Sequence, residues 1–242
     1  MSDLTKKESI YLNIAGFNIE VNFLPTEWEF AKNLKKEEIK KYWRGFIINN
    51  PKKIDFRINF KEINYLRIFE KNKFKYLGFY KKKSKKTVET YYQISIFQFQ
   101  TILRDVVDEL LDEKGFYLHA SASAINEFDA IIYTGPNGSG KSTIMKKMTD
   151  RGFKPLADDT VIIKKERKNI YLYQSPMIEK EWWIKKDYKK YQIKEINFMK
   201  NWKLIKITKN NIKNYLIKII QQIWINRVKN NKVLAILIKI FQ

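Results

Sequence analysis

The stretch of sequence that decides the fold reads Thr134-Gly135-Pro136-Asn137-Gly138-Ser139-Gly140-Lys141-Ser142-Thr143. It contains the pattern G-x-x-x-x-G-K-[ST], in which glycines let successive backbone N–H groups turn inward around phosphate oxygens. The apolar run 130–134 before it predicts a strand, and residues 141–150 after it predict a helix whose positive N-terminal end adds to the same anion site. The sequence therefore predicts that this glycine loop (residues 135–143) binds a nucleoside triphosphate.

Two side chains carry the chemistry expected of the glycine loop. We expect Lys141 to reach the β and γ phosphates as a point charge and the hydroxyl of Ser142 to bind Mg²⁺. The remaining contacts to the nucleotide are expected from the whole loop, namely Gly135, Pro136, Asn137, Gly138, Ser139, Gly140, Lys141, Ser142 and Thr143.

A pair of adjacent carboxylates, Asp158 and Asp159, follows a short predicted strand at 153–157, one helix after the glycine loop. An isolated Asp pair is typical of a solvated turn. Behind a phosphate loop at this spacing, however, one carboxylate can hold Mg²⁺ and the other can accept the proton of an attacking hydroxyl. We therefore interpret the pair as part of a phosphoryl-transfer site.

The residues before the loop indicate a β-rich N-terminal region over 1–97. Apolar and polar side chains alternate at 17–23, 54–60 and 91–97, which predicts half-buried strands. A helix follows, because seven apolar residues from Phe99 to Leu111 fall at three-and-four spacing, and Gly115 is expected to end it. Residues 116–124 and 130–134 then predict a hairpin that leads into the glycine loop.

After the Asp pair, residues 161–163 and 170–173 predict a hairpin that turns at 167–169. The pattern weakens beyond Pro176. Helical spacing returns from Ile212 to Ile223 and predicts a C-terminal amphipathic helix, with a last strand left open.

Composition excludes several classes of protein. The 242 residues contain no Cys and one His, which excludes disulfides, thiolate sites and His-rich metal sites. The net charge of +22 comes mainly from Lys spread over the whole chain, so we interpret it as compositional bias and expect no nucleic-acid partner, although a basic face could attract an acidic peptide. The late apolar run 233–238 is too short to span a bilayer, and we expect a cytoplasmic protein with no membrane partner.

The glycine loop alone would also suit an ABC-transporter ATPase. That alternative lacks support elsewhere, because no Leu-Ser-Gly-Gly-Gln-like signature and no four-apolar-then-Asp-Glu strand follow the loop. The single histidine, His119, lies before the loop instead of after it.

From 97 to 173 the chain resembles the HPr kinase/phosphorylase family and its small relatives, including kinases found with lasso-peptide biosynthesis. Three blocks carry the resemblance in order: 117–122 (Tyr-Leu-His-Ala-Ser-Ala), 133–143, and 151–159, which ends in Asp-Asp. The first block alone is weak and the second is shared by all P-loop proteins. The third is diagnostic in combination with them.

The resemblance implies an α/β (α+β) fold, with a P-loop kinase core akin to phosphoenolpyruvate carboxykinase over 98–242 and the small β-rich region over 1–97. It implies a bacterial kinase that uses ATP and Mg²⁺ to phosphorylate a serine hydroxyl of a peptide or small protein. By position Asp158 matches the family's catalytic base, Asp159 its metal-side carboxylate and His119 a histidine near that base. The match implies a catalytic role for His119, although a lone histidine on a strand is more often a packed core residue. Relatives often form rings, which leaves a homo-oligomer open.

The chain also departs from the family. No glycine-rich segment with an acidic residue follows the Asp pair, so we do not expect phosphorylase activity. Glu179 and Glu181 are candidates for an extra metal contact, and Trp182-Trp183 with Tyr188 suit either a substrate groove or core packing. A kinase for free serine or another small alcohol, and a catalytically degenerate nucleotide-binding regulatory module, remain alternatives.

Overall fold

A computed structural model describes residues 7–25, 34–62, 67–71, 74–224 and 230–240. The chain has a mixed α/β fold that divides into two compact units, residues 1–106 and 107–242. The division falls within helix α2 (Ile96–Leu111). No helix in the described ranges is long and apolar enough to cross a membrane.

The first unit is built on a six-stranded mixed sheet with the order β3-β1-β2-β4-β8-β7, beside a separate two-stranded sheet, β5-β6. The predicted strands at 17–23 and 54–60 are confirmed as β2 and β4, which pair in parallel. The elements are β1 (Glu8–Ile14), β2 (Phe17–Phe23), α1 (Lys36–Tyr42), a 3₁₀ turn (Arg44–Phe46), β3 (Ile47–Ile48), β4 (Phe56–Lys61), β5 (Arg67–Lys71), β6 (Phe74–Gly78), β7 (Tyr80–Ser84) and β8 (Thr87–Tyr91).

The strand predicted at 91–97 is wrong. Only Tyr91 belongs to a strand, the last residue of β8, and helix α2 begins at Ile96. Ser95 and Gln98 start the helix, because the Gln98 side chain accepts the Ser95 N–H at 2.8 Å and the Ser95 hydroxyl accepts the Gln98 N–H at 3.3 Å. This reciprocal capping satisfies two N–H groups that a helix end leaves open. Ser95, one of the polar residues that suggested alternation, is therefore a helix cap.

The apolar stripe predicted from Phe99 to Leu111 is confirmed in α2, where Phe99 packs edge-on against Trp43 with the ring centroids 5.1 Å apart. Gly115 does not end this helix, contrary to the prediction. The chain leaves the helix at Asp112, whose φ is +44°, and Gly115 is the first residue of strand β9 (Gly115–Ala124). A Cβ at Gly115 would lie 2.5 Å from the carbonyl oxygen of Ile163, so close strand packing explains the glycine.

The second unit is an eight-stranded sheet centred on β9, which pairs with β10, β11, β12 and β16. Both predicted hairpins are confirmed as β9–β10 and β12–β13. The elements are β9 (Gly115–Ala124), β10 (Asp129–Thr134), α3 (Lys141–Asp150), β11 (Lys154–Ala157), β12 (Thr160–Glu166), β13 (Asn169–Gln174), β14 (Lys190–Lys200), β15 (Lys203–Lys206), α4 (Ile212–Ile220), β16 (Ile223–Trp224) and α5 (Asn230–Ile240).

Alternation along β10 separates two apolar clusters on the two faces of this sheet. Ile132 belongs to a large cluster that includes Ile219 of α4 and Leu237 of α5. Its neighbour Tyr133 belongs to a smaller cluster with Met145 of α3. Helix α3, which follows the glycine loop, is therefore held against one face of the sheet while α4 and α5 cover the other.

The weak pattern after Pro176 conceals a long strand. β14 pairs in parallel with β10 and antiparallel with β13 and β15. Its parallel neighbour β10 ends at Thr134, directly before the glycine loop. β14 thus supports the strand on which the candidate site is built.

Candidate functional site

The glycine loop joins the end of β10 to the start of α3 through backbone conformations that favour glycine. Gly135 has φ +149° and Gly140, at the N-cap of α3, has φ +98°. A Cβ at Gly135 would lie 2.4 Å from the carbonyl oxygen of Met199 on β14. Since neither the backbone torsion nor the space admits a side chain, this turn depends on glycine.

Lys141 is folded back onto its own loop. Its ammonium donates hydrogen bonds to the carbonyl oxygens of Gly135 and Pro136, both at 2.9 Å. Burial lowers the pKa of the Lys141 ammonium, and the carboxylate of Asp159 opposes that shift. An ammonium has three donors, so one remains for an anion in the loop.

The first turn of α3 is tied to the end of β11. The Ser142 hydroxyl donates to the carbonyl oxygen of Asp158 at 3.1 Å, and the Ser121 hydroxyl of β9 donates to the same oxygen at 2.8 Å. The hydroxyls thus connect the glycine loop, the central strand and the Asp pair. The spatial approach that the sequence predicts for these two segments is present in the structure.

Asp158 is 4% exposed, and residues 179–181 fix its position. Its Oδ2 accepts the backbone N–H of Glu181 at 2.9 Å, and its own N–H donates to Oε2 of Glu179 at 2.9 Å. Oδ1 is buried and has no hydrogen-bond partner. A buried carboxylate oxygen without a donor is costly to the fold, which is typical of a site that receives a ligand donor.

Asp159 is more exposed than its neighbour and lies in a positive environment. Its Oδ1 is 3.5 Å from Nε2 of His119 and 3.4 Å from the ammonium of Lys180, and Oδ2 accepts the Thr160 hydroxyl at 3.1 Å. The hydrogen bond with His119 and the charge of Lys180 hold the pKa of Asp159 well below its ordinary value. Asp159 is therefore ionised at neutral pH.

His119 is held on β9 by Gln222. The His119 N–H donates to the Gln222 carbonyl oxygen at 2.8 Å, and Nδ1 lies 3.3 Å from Oε1 of the Gln222 side chain. These contacts turn Nε2 toward Asp159. Gln222 follows α4, so the C-terminal part of the chain fixes the ring.

The glycine loop and the Asp pair line one cleft of about 240 Å³. It contains most of the predicted site residues, together with Lys180 and Trp202, which the sequence did not indicate. Asp158, whose buried Oδ1 has no hydrogen-bond partner, belongs to this lining, as does Ser139, whose buried hydroxyl also has no partner. The lining residues are His119, Asn137, Gly138, Ser139, Gly140, Lys141, Ser142, Thr143, Asp158, Asp159, Lys180 and Trp202.

Glu179 and Glu181 do not line this cleft, and their carboxylates have other partners. Glu179 forms a buried ion pair with Lys186, and burial raises its pKa to about 7 against the opposing charge of that ammonium. Glu181 pairs with Lys146 at 2.7 Å and accepts the indole N–H of Trp183 at 2.9 Å. Both residues therefore hold the segment that follows β13 in place next to Asp158.

The described residues contain no group of three or more His, Cys, Asp or Glu side chains placed to hold a metal ion. Of the aromatic residues singled out in the sequence, Trp183 packs against the small cluster under α3, while Trp182 is 90% exposed and lies outside the cleft lining. Tyr188 is also exposed. The sequence carries no local signal for Trp202, because this residue lies in the turn of the β14–β15 hairpin and the hydrophobic pattern did not predict those two strands.

Comparison with known proteins does not show a family for this chain. No protein-family profile and no curated protein matches the sequence. Among solved structures, the Hpr(Ser) kinase/phosphatase from Coxiella burnetii matches with 26% identity and a TM-score of 0.22, over 24% of this chain and 37% of that one. This chain therefore spans little more than a third of the length of that structure, and a superposition of this extent carries no argument for fold or function.

Proposed function

We propose that the protein is an ATP-dependent kinase that transfers the γ-phosphoryl group to a serine hydroxyl of a peptide or small protein. The observation that carries the proposal is the single cleft shared by the glycine loop, Lys141 and the Asp158–Asp159 pair. Phosphoryl transfer needs anion-binding donors beside a carboxylate that can accept a proton, and the two lie together here.

The glycine loop suits a triphosphate. Residues 137–143 line one side of the cleft, helix α3 begins directly after the loop, and one donor of the Lys141 ammonium remains for a phosphate oxygen. The unpartnered Ser139 hydroxyl is a further donor inside the loop. The charge of Lys141 would stabilise the negative charge that develops on the phosphoryl oxygens.

The donor set also fits Mg²⁺. This ion binds one or two carboxylates together with substrate phosphates and keeps several waters, so it needs no cluster of three acidic residues. Ser142 and Asp159 would hold it, and the bound ion would supply charge neutralisation between the β and γ phosphates. His119 would act on Asp159 by fixing the direction of its carboxylate.

Asp158 would be the catalytic base. Its Oδ1 has an unused acceptor position, while the Glu181 N–H fixes Oδ2. The acceptor oxygen attacks the γ-phosphorus, the bond from the γ-phosphorus to the β–γ bridging oxygen breaks, and the hydroxyl proton passes to Asp158. The products are ADP and a phosphoserine.

The decisive assay incubates the purified protein with ATP, Mg²⁺ and a panel of serine peptides, including acidic ones, and detects phosphopeptides by mass spectrometry. We expect Asp158→Asn to reduce transfer by about 10³-fold or more while ATP affinity, measured by calorimetry, changes little. Lys147→Ala, an exposed change on α3, is the matched control.

The alternatives give different results in the same assay. Phosphorylation of free serine but of no peptide would indicate a small-alcohol kinase. ATP binding without transfer to any acceptor, and unaffected by Asp158→Asn, would indicate a regulatory module and overturn the kinase proposal.

A further inference from the structure

The tip of the β14–β15 hairpin has an unusual residue in its turn. Lys200 pairs with Lys203, so Asn201 and Trp202 form a two-residue turn, and both have positive φ, +48° and +64°. Turns of this kind favour glycine at the second position because a side chain there is strained. The two-residue turn between β1 and β2 follows that preference, with Ala15 at +51° and Gly16 at +77°.

Trp202 keeps a strained conformation although it is 68% exposed and fills no core. A left-handed residue other than glycine costs stability, and such strain persists mainly at functional positions. We therefore expect the indole ring to have a role in function and not in stabilising the fold.

The ring lies directly over the glycine loop. A Cβ at Gly140 would be 2.8 Å from Cε3 and 3.2 Å from Cζ3 of Trp202, so the six-membered ring packs on the N-cap of α3. Only a glycine at this position lets the indole approach so closely. The hairpin and the loop are thus fitted to each other.

Trp202 is a wall shared by two clefts. One is the phosphate cleft with Lys141 and the Asp pair. The other, about 290 Å³, is lined by the first half of the loop and by the hairpin tip, and none of its lining residues is acidic; they are Pro136, Asn137, Gly138, Ser139, Lys200, Asn201 and Trp202. Both clefts contain Asn137, Gly138 and Ser139, so a ligand with phosphates in the first can extend into the second.

We infer that this second cleft binds the nucleoside part of the triphosphate, with the base stacked on Trp202. The inference rests on the proposed function and adds the subsite that retains the nucleoside. Every base presents a π face to an aromatic side chain, so stacking supplies affinity that a triphosphate without a base lacks. The strain at Trp202 places that ring beside the phosphate path.

The test compares two ligands, Mg²⁺–ATP and Mg²⁺–tripolyphosphate, by calorimetry on the full chain. Trp202→Gly removes the ring and suits the positive φ, so its unfolding midpoint should equal or exceed that of the wild type. We expect its ATP affinity to fall about 10- to 100-fold and its tripolyphosphate affinity to stay within about twofold. Trp202→Phe should retain part of the ATP affinity, and Trp182→Ala, at an exposed tryptophan outside both clefts, should retain all of it.

The outcomes separate this subsite from the kinase proposal. Unchanged ATP affinity in Trp202→Gly, or an equal loss for both ligands, would overturn the stacking role and leave the proposed kinase standing. If Trp202→Gly lost affinity for ATP but not for tripolyphosphate, and the wild type gave no phosphopeptide in the transfer assay, the subsite would be supported and the kinase proposal overturned. A wild-type protein that binds neither ligand would overturn both.

Discussion

On one side of the cleft the glycine loop is shaped by its own backbone, whereas on the other side the Asp pair is held by backbone and side-chain contacts from other parts of the chain. Nine consecutive residues, 135–143, make the first side, and its left-handed glycines and the returned Lys141 set its geometry. The second side depends on contacts with Glu179, Glu181 and Gln222. Substitutions should therefore separate phosphate binding from the positioning of the acids.

The largest effect is expected from Gly135→Ala on the backbone-defined side. The new Cβ would lie 2.4 Å from the Met199 carbonyl oxygen, so β10 or β14 must shift. We expect a loss of about 3 kcal/mol or more in the free energy of unfolding, together with loss of ATP binding, measured by urea titration and calorimetry.

Gly138→Ala is the matched control for that change. Gly138 also has positive φ, +74°, but no atom lies within 4 Å of its added Cβ. Only backbone strain should remain, about 1 kcal/mol. Equal losses in the two variants would show that the torsion alone, and not the approach to β14, requires glycine at 135.

An intermediate effect is expected on the other side from Glu179→Gln, and it should depend on pH. Burial raises the pKa of Glu179 from 4.5 to about 7, so the folded state binds more protons than the unfolded state between these values and the wild type loses stability as pH rises through that window. The glutamine does not titrate. Between pH 5 and 8 the difference in unfolding free energy should shift in favour of the variant by up to about 3 kcal/mol.

The same glutamine keeps an oxygen that can accept the Asp158 N–H, so transfer activity should persist. Both variants leave Lys186 without its carboxylate, but Glu179→Ala also removes the acceptor of the Asp158 N–H, so it should lose transfer as well as stability. A stability difference between glutamine variant and wild type that is constant with pH would contradict the assignment of the raised pKa.

The contrast between the two sides explains what the sequence could predict. The sequence predicted the glycine loop, helix α3 and the position of Asp158 beside the loop, because short-range sequence patterns indicate the loop, the helix and the strand that ends at the Asp pair. The roles of Glu179 and Glu181 were not, because the ion pairs with Lys186 and Lys146 depend on how a segment without periodicity folds back. The position of Trp202 could not be predicted for a similar reason, since its place over Gly140 follows from the pairing of β14 with β10.

The smallest effect is expected from His119→Ala, which leaves the loop untouched and removes one contact to Asp159. The Nε2–Oδ1 distance of 3.5 Å is long for a hydrogen bond, so the ring orients the carboxylate only in part. We expect the Mg²⁺ concentration for half-maximal transfer to rise about tenfold, as for other groups that support a metal ligand, while tripolyphosphate affinity without metal stays constant. If His119 acts through Asp159, the double variant with Asp159→Asn should be no worse than Asp159→Asn alone, whereas additive losses would assign His119 an independent role.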